Sequence, residues 1–289
     1  MALARHSTAP PAPPSPAPAP SAAPPQPHRP APPSTRPIVH AGRPLTILVI
    51  GDSLGEDLGY GLRDLLGSLP QVRLVLKAVG STGLANVAYY NWPKALADEL
   101  QQYRPNVVVT LLGGNDAVGF VDNGRPVPFG SSLWQRAYGQ RVATLMEEAT
   151  STGAQMIWVG LPIMSPTSVL PNPSMKRLNA VYAAEAKIHP GVHYLSTWSL
   201  FEAPQGGYTA VLQASNGQWR VIRDPDGVHI APPAGNDLIA SAVLQTLDTL
   251  LAPPLCPSQP LWRRFVFPGC PGANRGPATS PTSGARPSA

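Results

Sequence analysis

Four short segments hold the residue types that could do chemistry. "TILVIGDSLG" (46–55) runs from apolar residues into Gly51-Asp52-Ser53-Leu54. "AVGSTG" (78–83) is a glycine loop, "GGND" (113–116) offers Asn115, and "DPDGVHI" (224–230) sets Asp226 three residues before His229. A hydroxyl, an imidazole with a nearby carboxylate, and small-residue backbone with an amide are the parts of an acyl-transfer site. They would supply nucleophile, base, orienter and oxyanion donors. Ser53 is the candidate nucleophile, His229 the base and Asp226 the orienter, since i and i+3 in a turn or helical start lie on one side. Singly, each segment is also an ordinary turn; their joint occurrence carries the reading. Asp52 reads as a turn former, Asp116 as a brace, and Asp224 as the fallback orienter.

Histidine supply narrows the base. Between residues 45 and 252 the histidines are His189, His193 and His229, and the first two flank Pro-Gly at a helix-to-strand junction. That pair reads as structural, because no cysteine or third histidine adjoins it to complete a zinc site. No metal and no cofactor is expected.

For these segments to meet, the elements between them must align their ends. Short apolar runs predict buried strands at 45–50, 72–79, 105–113, 155–160 and 192–196. Helical spacing predicts helices at 56–67, 92–103, 132–153, 174–188 and about 233–251. A hairpin over 208–224 is expected to turn at Asn216-Gly217. Alternating strands and helices predict a three-layer αβα architecture, an open doubly wound parallel sheet of about five strands. Ligands bind such sheets beyond the carboxyl ends of the strands, where all four segments would lie. Trp92, Trp134, Phe120 and Tyr90 read equally as pocket lining and as core.

Composition bounds the rest. The chain has 289 residues and 38 prolines, which crowd into the first 44 residues and the region after Leu251. The expected organisation is a disordered Pro-rich linker over 1–44, one domain over 45–252, and a disordered Pro-rich tail over 253–289. The net charge of +5 belongs to the ends: 1–44 and 253–289 each carry four Arg and no acid, leaving 13 basic against 16 acidic residues between them. The charge therefore gives no case for a nucleic-acid partner. No apolar run is long enough to span a membrane, and no leader is visible. Cys256 and Cys270 are expected either to close a disulfide loop or to remain as two thiols.

These blocks resemble the SGNH branch of the GDSL hydrolase superfamily, whose name lists its Ser, Gly, Asn and His. The match runs over most of 45–252 through Gly51-Asp52-Ser53-Leu54, the 78–83 loop, Gly113-Gly114-Asn115-Asp116 and Asp226-Gly227-Val228-His229. Ala78 stands where many members have Asn. The resemblance implies Gly83 as the oxyanion glycine and Gly80 as its support, beside the Ser53 N–H and the Asn115 amide. "STGLANVAYYNWPKAL", "FGSSLWQRAYGQRV", "IWVGLP" and "DGVHIAPPAGNDLIA" also resemble a bacterial subgroup filed as a domain of unknown function.

The expected activity is that of a serine esterase with a Ser-His-Asp triad and a Gly/Asn oxyanion hole, extending to deacetylation of an envelope carbohydrate. The alternatives are an O-acyltransferase acting on cell-envelope polysaccharide, and a non-catalytic carbohydrate-binding module on the same fold. A metal-dependent phosphoesterase is disfavoured, since one suitable histidine is too few. The expected partners are a small acyl ester or O-acylated carbohydrate, with no nucleic acid. A monomer outside the cytoplasm is expected, with a possible tether to the envelope.

Overall fold

The computed structural model describes residues 44–251. The expected linker and tail, with Cys256 and Cys270, lie outside the described residues.

Strand β1 (Leu45–Gly51) is buried along its whole length, as its unbroken apolar run requires of a strand covered on both faces. Helix α1 (Ser53–Leu66) follows at once, capped by Asp52, whose Oδ1 accepts the Leu54 N–H at 3.0 Å. Ser53 is therefore the first residue of a helix, three residues ahead of the expected start. β2 (Val72–Leu76) ends before the expected 79, but the chain stays beside β1: the Lys77 and Val79 N–H groups bond the carbonyls of Val49 and Gly51, both at 2.8 Å.

α2 (Trp92–Tyr103) matches its expected range, with Asn91 as N-cap and proline in the first turn. β3 (Val107–Leu111) is again wholly buried. A small hairpin, β4 (Phe120–Asp122) and β5 (Arg125–Val127), follows and was not expected. It turns at Asn123-Gly124, both with positive φ (48° and 75°), as a two-residue hairpin loop demands. α3 (Ser132–Thr150) stops short of the expected 153. β6 (Gln155–Val159) precedes α4 (Asn172–Ile188), which starts two residues before the expected 174. β7 (Val192–Leu195) leads to a short 3₁₀ turn at Trp198–Phe201.

The second hairpin, β8 (Val211–Gln213) and β9 (Trp219–Val221), corrects the expected two-residue turn. Ala214 N–H bonds the Gln218 carbonyl, and Gly217 N–H bonds the Ala214 carbonyl, both at 2.8 Å. The loop is thus Ser215-Asn216-Gly217, with Gly217 at φ 80° supplying the left-handed residue. α5 (Ala234–Leu251) closes the described chain.

The five long strands form one parallel sheet in the order β2-β1-β3-β6-β7. Among its parallel strands this is the 2-1-3-4-5 order of a doubly wound sheet. α1 packs with α5 on one face, and α2, α3 and α4 pack in succession on the other. The core is fully buried Val, Leu and Ile of β1, β3 and β6 beneath Leu54, Leu58 and Leu62 of α1 and Trp92, Trp134 and Trp158. Register aligns Gly51 with Leu111 across β1 and β3. Chain leaving those neighbouring strands therefore emerges at one height, which sets Asp52 beside Gly113 and Gly114.

Candidate active site

The site begins with Asp52. Besides capping α1, its Oδ2 accepts the N–H groups of Gly113 and Gly114, both at 2.9 Å. One buried carboxylate thus joins the end of β1 to the loop after β3. Burial pushes Asp52 up to about 6, against those three N–H bonds.

Ser53, half-buried at the first turn of α1, has its Oγ 2.9 Å from His229 Nε2. His229 Nδ1 lies 2.5 Å from Asp226 Oδ2. Asp226 Oδ1 takes the N–H groups of Val228 and His229 at 2.8 and 3.0 Å, so the carboxylate orients both the ring and the backbone beneath it. Burial alone would raise Asp226, but the His229 bond and the two N–H bonds outweigh it and hold the carboxyl at about 2. Burial alone would lower His229; the bond and charge of Asp226, with the charges of Asp57 and Asp224, outweigh it and raise the imidazole above its ordinary 6.5. The Asp224 fallback is not needed, because Asp226 faces the ring.

The glycine loop comes from beside β2. Asn115 Nδ2 donates to the Thr82 carbonyl at 2.9 Å, which fixes the amide next to Gly83. Thr82 is itself buried, its hydroxyl bonded to the Val79 carbonyl at 2.6 Å and to the Trp92 indole N–H at 3.1 Å. Asp116 accepts the N–H groups of Leu84 and Ala85, each at 2.8 Å, and the Tyr138 hydroxyl at 2.6 Å. Tyr138 in turn meets the Tyr182 hydroxyl at 2.9 Å. Arg141 holds the Leu84 and Ala85 carbonyls from the other side, at 2.8 and 2.9 Å. A Cβ on Gly83 would stand 2.1 Å from Asp116 Oδ1, so no larger residue fits while that brace is in place. The N–H groups of Ser53 and Gly83 have no acceptor among the described residues. Gly80 lies farther out, where an added Cβ would meet only the Glu56 carboxylate at 3.9 Å.

The other candidates fall elsewhere. His189 bonds the Glu185 carbonyl through Nδ1 at 2.7 Å, and His193 bonds Gln155 Oε1 at 3.0 Å. Trp92 and Trp134 are buried in the core. Tyr90 packs on Trp92 with ring centroids 4.8 Å apart, and Phe120 lies under the Arg141 guanidinium. Among the described residues no group of three or more His, Cys, Asp or Glu could hold a metal ion, and no helix is long and apolar enough to cross a membrane.

Two neighbours of the site escaped the sequence reading. Asp57 takes the Ile230 N–H at 3.0 Å, one residue past His229, and burial pushes its carboxyl up to about 6. Its position four residues after Ser53, on the same helix face, was a usable signal. Arg223 is 1 % exposed and binds the backbone of the Asp226–His229 turn; no sequence pattern marks it.

No curated protein matches the sequence. Among solved structures, the chain is similar to a lipase/acylhydrolase from Enterococcus faecalis, with 16% identity, 73% of this chain and 99% of that one covered, and a TM-score of 0.52. It is also similar to a GDSL-like lipase from Bacteroides thetaiotaomicron (13% identity, 72% and 89% covered, TM-score 0.49). A third is the psychrotrophic esterase EstA from Pseudoalteromonas sp. (15% identity, 71% and 97% covered, TM-score 0.46). At such identities the likeness concerns the fold alone, the three-layer αβα arrangement around the five-stranded parallel sheet. The family model described as "Protein of unknown function (DUF459)" matches residues 46–246, and the chain belongs to that family.

Proposed function

We propose that the protein is a serine esterase that cleaves acyl esters through Ser53, His229 and Asp226. The observation that carries this reading is the unbroken chain of contacts Ser53 Oγ–His229 Nε2–His229 Nδ1–Asp226 Oδ2, at 2.9 and 2.5 Å. Ser53 Oγ attacks the ester carbonyl carbon and its proton passes to His229 Nε2. The carbonyl π pair moves to oxygen, and the oxyanion takes hydrogen bonds from the Ser53 and Gly83 N–H groups and the second N–H of Asn115. Collapse breaks the bond to the leaving oxygen, which takes the proton from His229. Water then repeats the sequence on the acyl-serine, with His229 again accepting and returning a proton. Asp226 stays ionised and stabilises the imidazolium.

The site is open to solvent: the side chains of His229 and Asp226 are 36% and 47% exposed. The edge of the ring that faces solvent is therefore open to an acceptor hydroxyl as well as to water. That openness favours, as second reading, O-acyl transfer to or from an envelope polysaccharide, outside the cytoplasm. The non-catalytic carbohydrate-binding reading gives no reason for a serine, an imidazole and a carboxylate in hydrogen-bonded series.

The test is a fluorophosphonate probe followed by peptide mapping, alongside hydrolysis of p-nitrophenyl acetate. Label on Ser53, lost in Ser53→Ala and in His229→Ala with the fold retained, is the expected result. An unlabelled Ser53 in folded protein, or wild-type turnover by Ser53→Ala, overturns the assignment. Acetate release compared with acetyl transfer to oligosaccharide acceptors separates the two readings.

A further inference from the structure

We propose that Arg223 is a positioning residue that clamps the turn carrying Asp226 and His229, and so fixes where the imidazole meets Ser53. The proposal rests on the esterase reading above. Arg223 lies inside the protein, 1 % exposed, with no carboxylate within 4.0 Å among the described residues. Its guanidinium is spent on main chain instead. Nη2 donates to the carbonyls of Val228 and Gly227 at 2.6 and 3.3 Å, and Nε to that of His229 at 3.2 Å. Nη1 donates to the Ile163 carbonyl at 2.5 Å, and Nη2 also faces Met164 Sδ at 3.2 Å. Phe201 and Tyr208 lie against the same group, with ring centroids 5.2 and 5.5 Å from Cζ.

The pattern is specific to the turn. Asp226 gathers the N–H groups of residues 228 and 229, and Arg223 gathers the carbonyls of 227, 228 and 229. The turn is thus gripped through its donors on one side and its acceptors on the other. Gly227 permits the grip: its φ is 71°, and an added Cβ would stand 2.2 Å from Ser165 Cβ. Arg223 also ties this turn to Ile163 and Met164, in the loop after β6, so the imidazole is referenced to the sheet and not only to its own loop. Burial lowers the guanidinium to about 10, partly offset by Tyr208 and by the charges of Asp226, Asp57 and Asp224, so it remains charged at neutral pH. A lysine would keep the charge but lacks the planar fork that reaches several carbonyls at once.

The test compares wild type, Arg223→Lys and Arg223→Met by ester kinetics, thermal unfolding and the downfield Nδ1–H proton resonance of His229. With the clamp, Arg223→Lys folds, its kcat for p-nitrophenyl acetate falls tenfold or more with KM within twofold, and the His229 resonance broadens or vanishes. A packing role alone would lower the unfolding temperature and leave kcat and the resonance unchanged below it; that result overturns the proposal. Should both variants fail to fold, the rate at which Arg223 Nη1 and Nη2 exchange places by rotation about Cζ–Nε in the wild type decides: slow exchange, as directional bonds to several carbonyls require, supports the clamp, and exchange as fast as at exposed arginines overturns it. Absence of fluorophosphonate labelling in the wild type counts against the esterase reading alone, because the resonance and the exchange rate report the clamp without any turnover.

Discussion

Asp226→Asn changes one atom and reverses the donor logic of the site. The amide oxygen can keep the two N–H bonds that Oδ1 accepts at 2.8 and 3.0 Å, so the turn stays satisfied. The NH₂ group then takes the place of Oδ2, facing His229 Nδ1. It can only donate, so Nδ1 must become the acceptor and the ring proton moves to Nε2. Nε2, 2.9 Å from Ser53 Oγ, can no longer receive the hydroxyl proton. A wrong tautomer of this kind costs about 10⁴ in rate, or about 5 kcal/mol at about 1.36 kcal/mol per tenfold. Stability should move by less than about 1 kcal/mol, since no buried donor is stranded. The acid limb of the pH–rate profile should move as well. In the wild type the imidazole is raised above 6.5, so kcat/KM rises with pH through a midpoint above that value. The variant loses the bond and charge that raise it most, leaving burial to pull it down against Asp57 and Asp224, so its midpoint falls. The assay is p-nitrophenyl acetate hydrolysis across the neutral range, with circular dichroism and thermal unfolding as fold controls. A folded variant that retains a tenth or more of wild-type kcat/KM, or shows an unmoved acid limb, refutes the reasoning.

Asn115→Ala should lower kcat/KM by about 10²–10³ through loss of one oxyanion donor, measured on the same ester with the unfolding midpoint as control; a loss under threefold removes Asn115 from that role. Gly83→Ala should abolish turnover, because its Cβ would lie 2.1 Å from Asp116 Oδ1 and the carboxylate is pinned by three donors; wild-type kinetics would mean that the loop yields freely. Leu58→Ala, fully buried in α1, should cost about 2–5 kcal/mol in denaturant unfolding. Asp57→Asn should gain stability over the wild type as pH rises from about 4 to 6. The wild-type carboxyl is raised to about 6 when folded, so its contribution is complete below its ordinary 3.8 and is lost as pH rises through 6, whereas the amide does not titrate. Urea titrations at several pH values check the sign, and a difference that stays flat across that window rejects the burial argument.

The strands were legible because β1, β3 and β6 are covered on both faces, which demands unbroken apolar runs. The parallel sheet followed from the helices between them, and with it the convergence of the four segments. The start of α1 was less legible. Gly55, Gly59 and Gly61 weaken its helical pattern, and their reason is tertiary: added Cβ atoms would meet the Leu111 carbonyl, Leu76 and the Asn236 carbonyl at 2.9, 2.3 and 2.2 Å. The β4–β5 hairpin was missed although Asn123-Gly124 announces it, because strands of three residues are too short to show alternation. Arg223 was beyond reach. In "WRVIRDPDG" it reads as one more exposed cation, and its burial is made by Ile163, Met164, Phe201 and Tyr208, all distant in the chain until the fold closes.

α1 starts at Ser53 and α5 starts five residues after His229, and the two helices pack so closely that the Gly61 backbone abuts Asn236. The hydroxyl therefore stands on one member of a tightly packed helix pair, and the ring that serves it on the turn leading into the other. The β8–β9 hairpin between β7 and α5 runs straight into Arg223, and β9 packs on α5, so a change in its length would be felt at the turn that carries the ring.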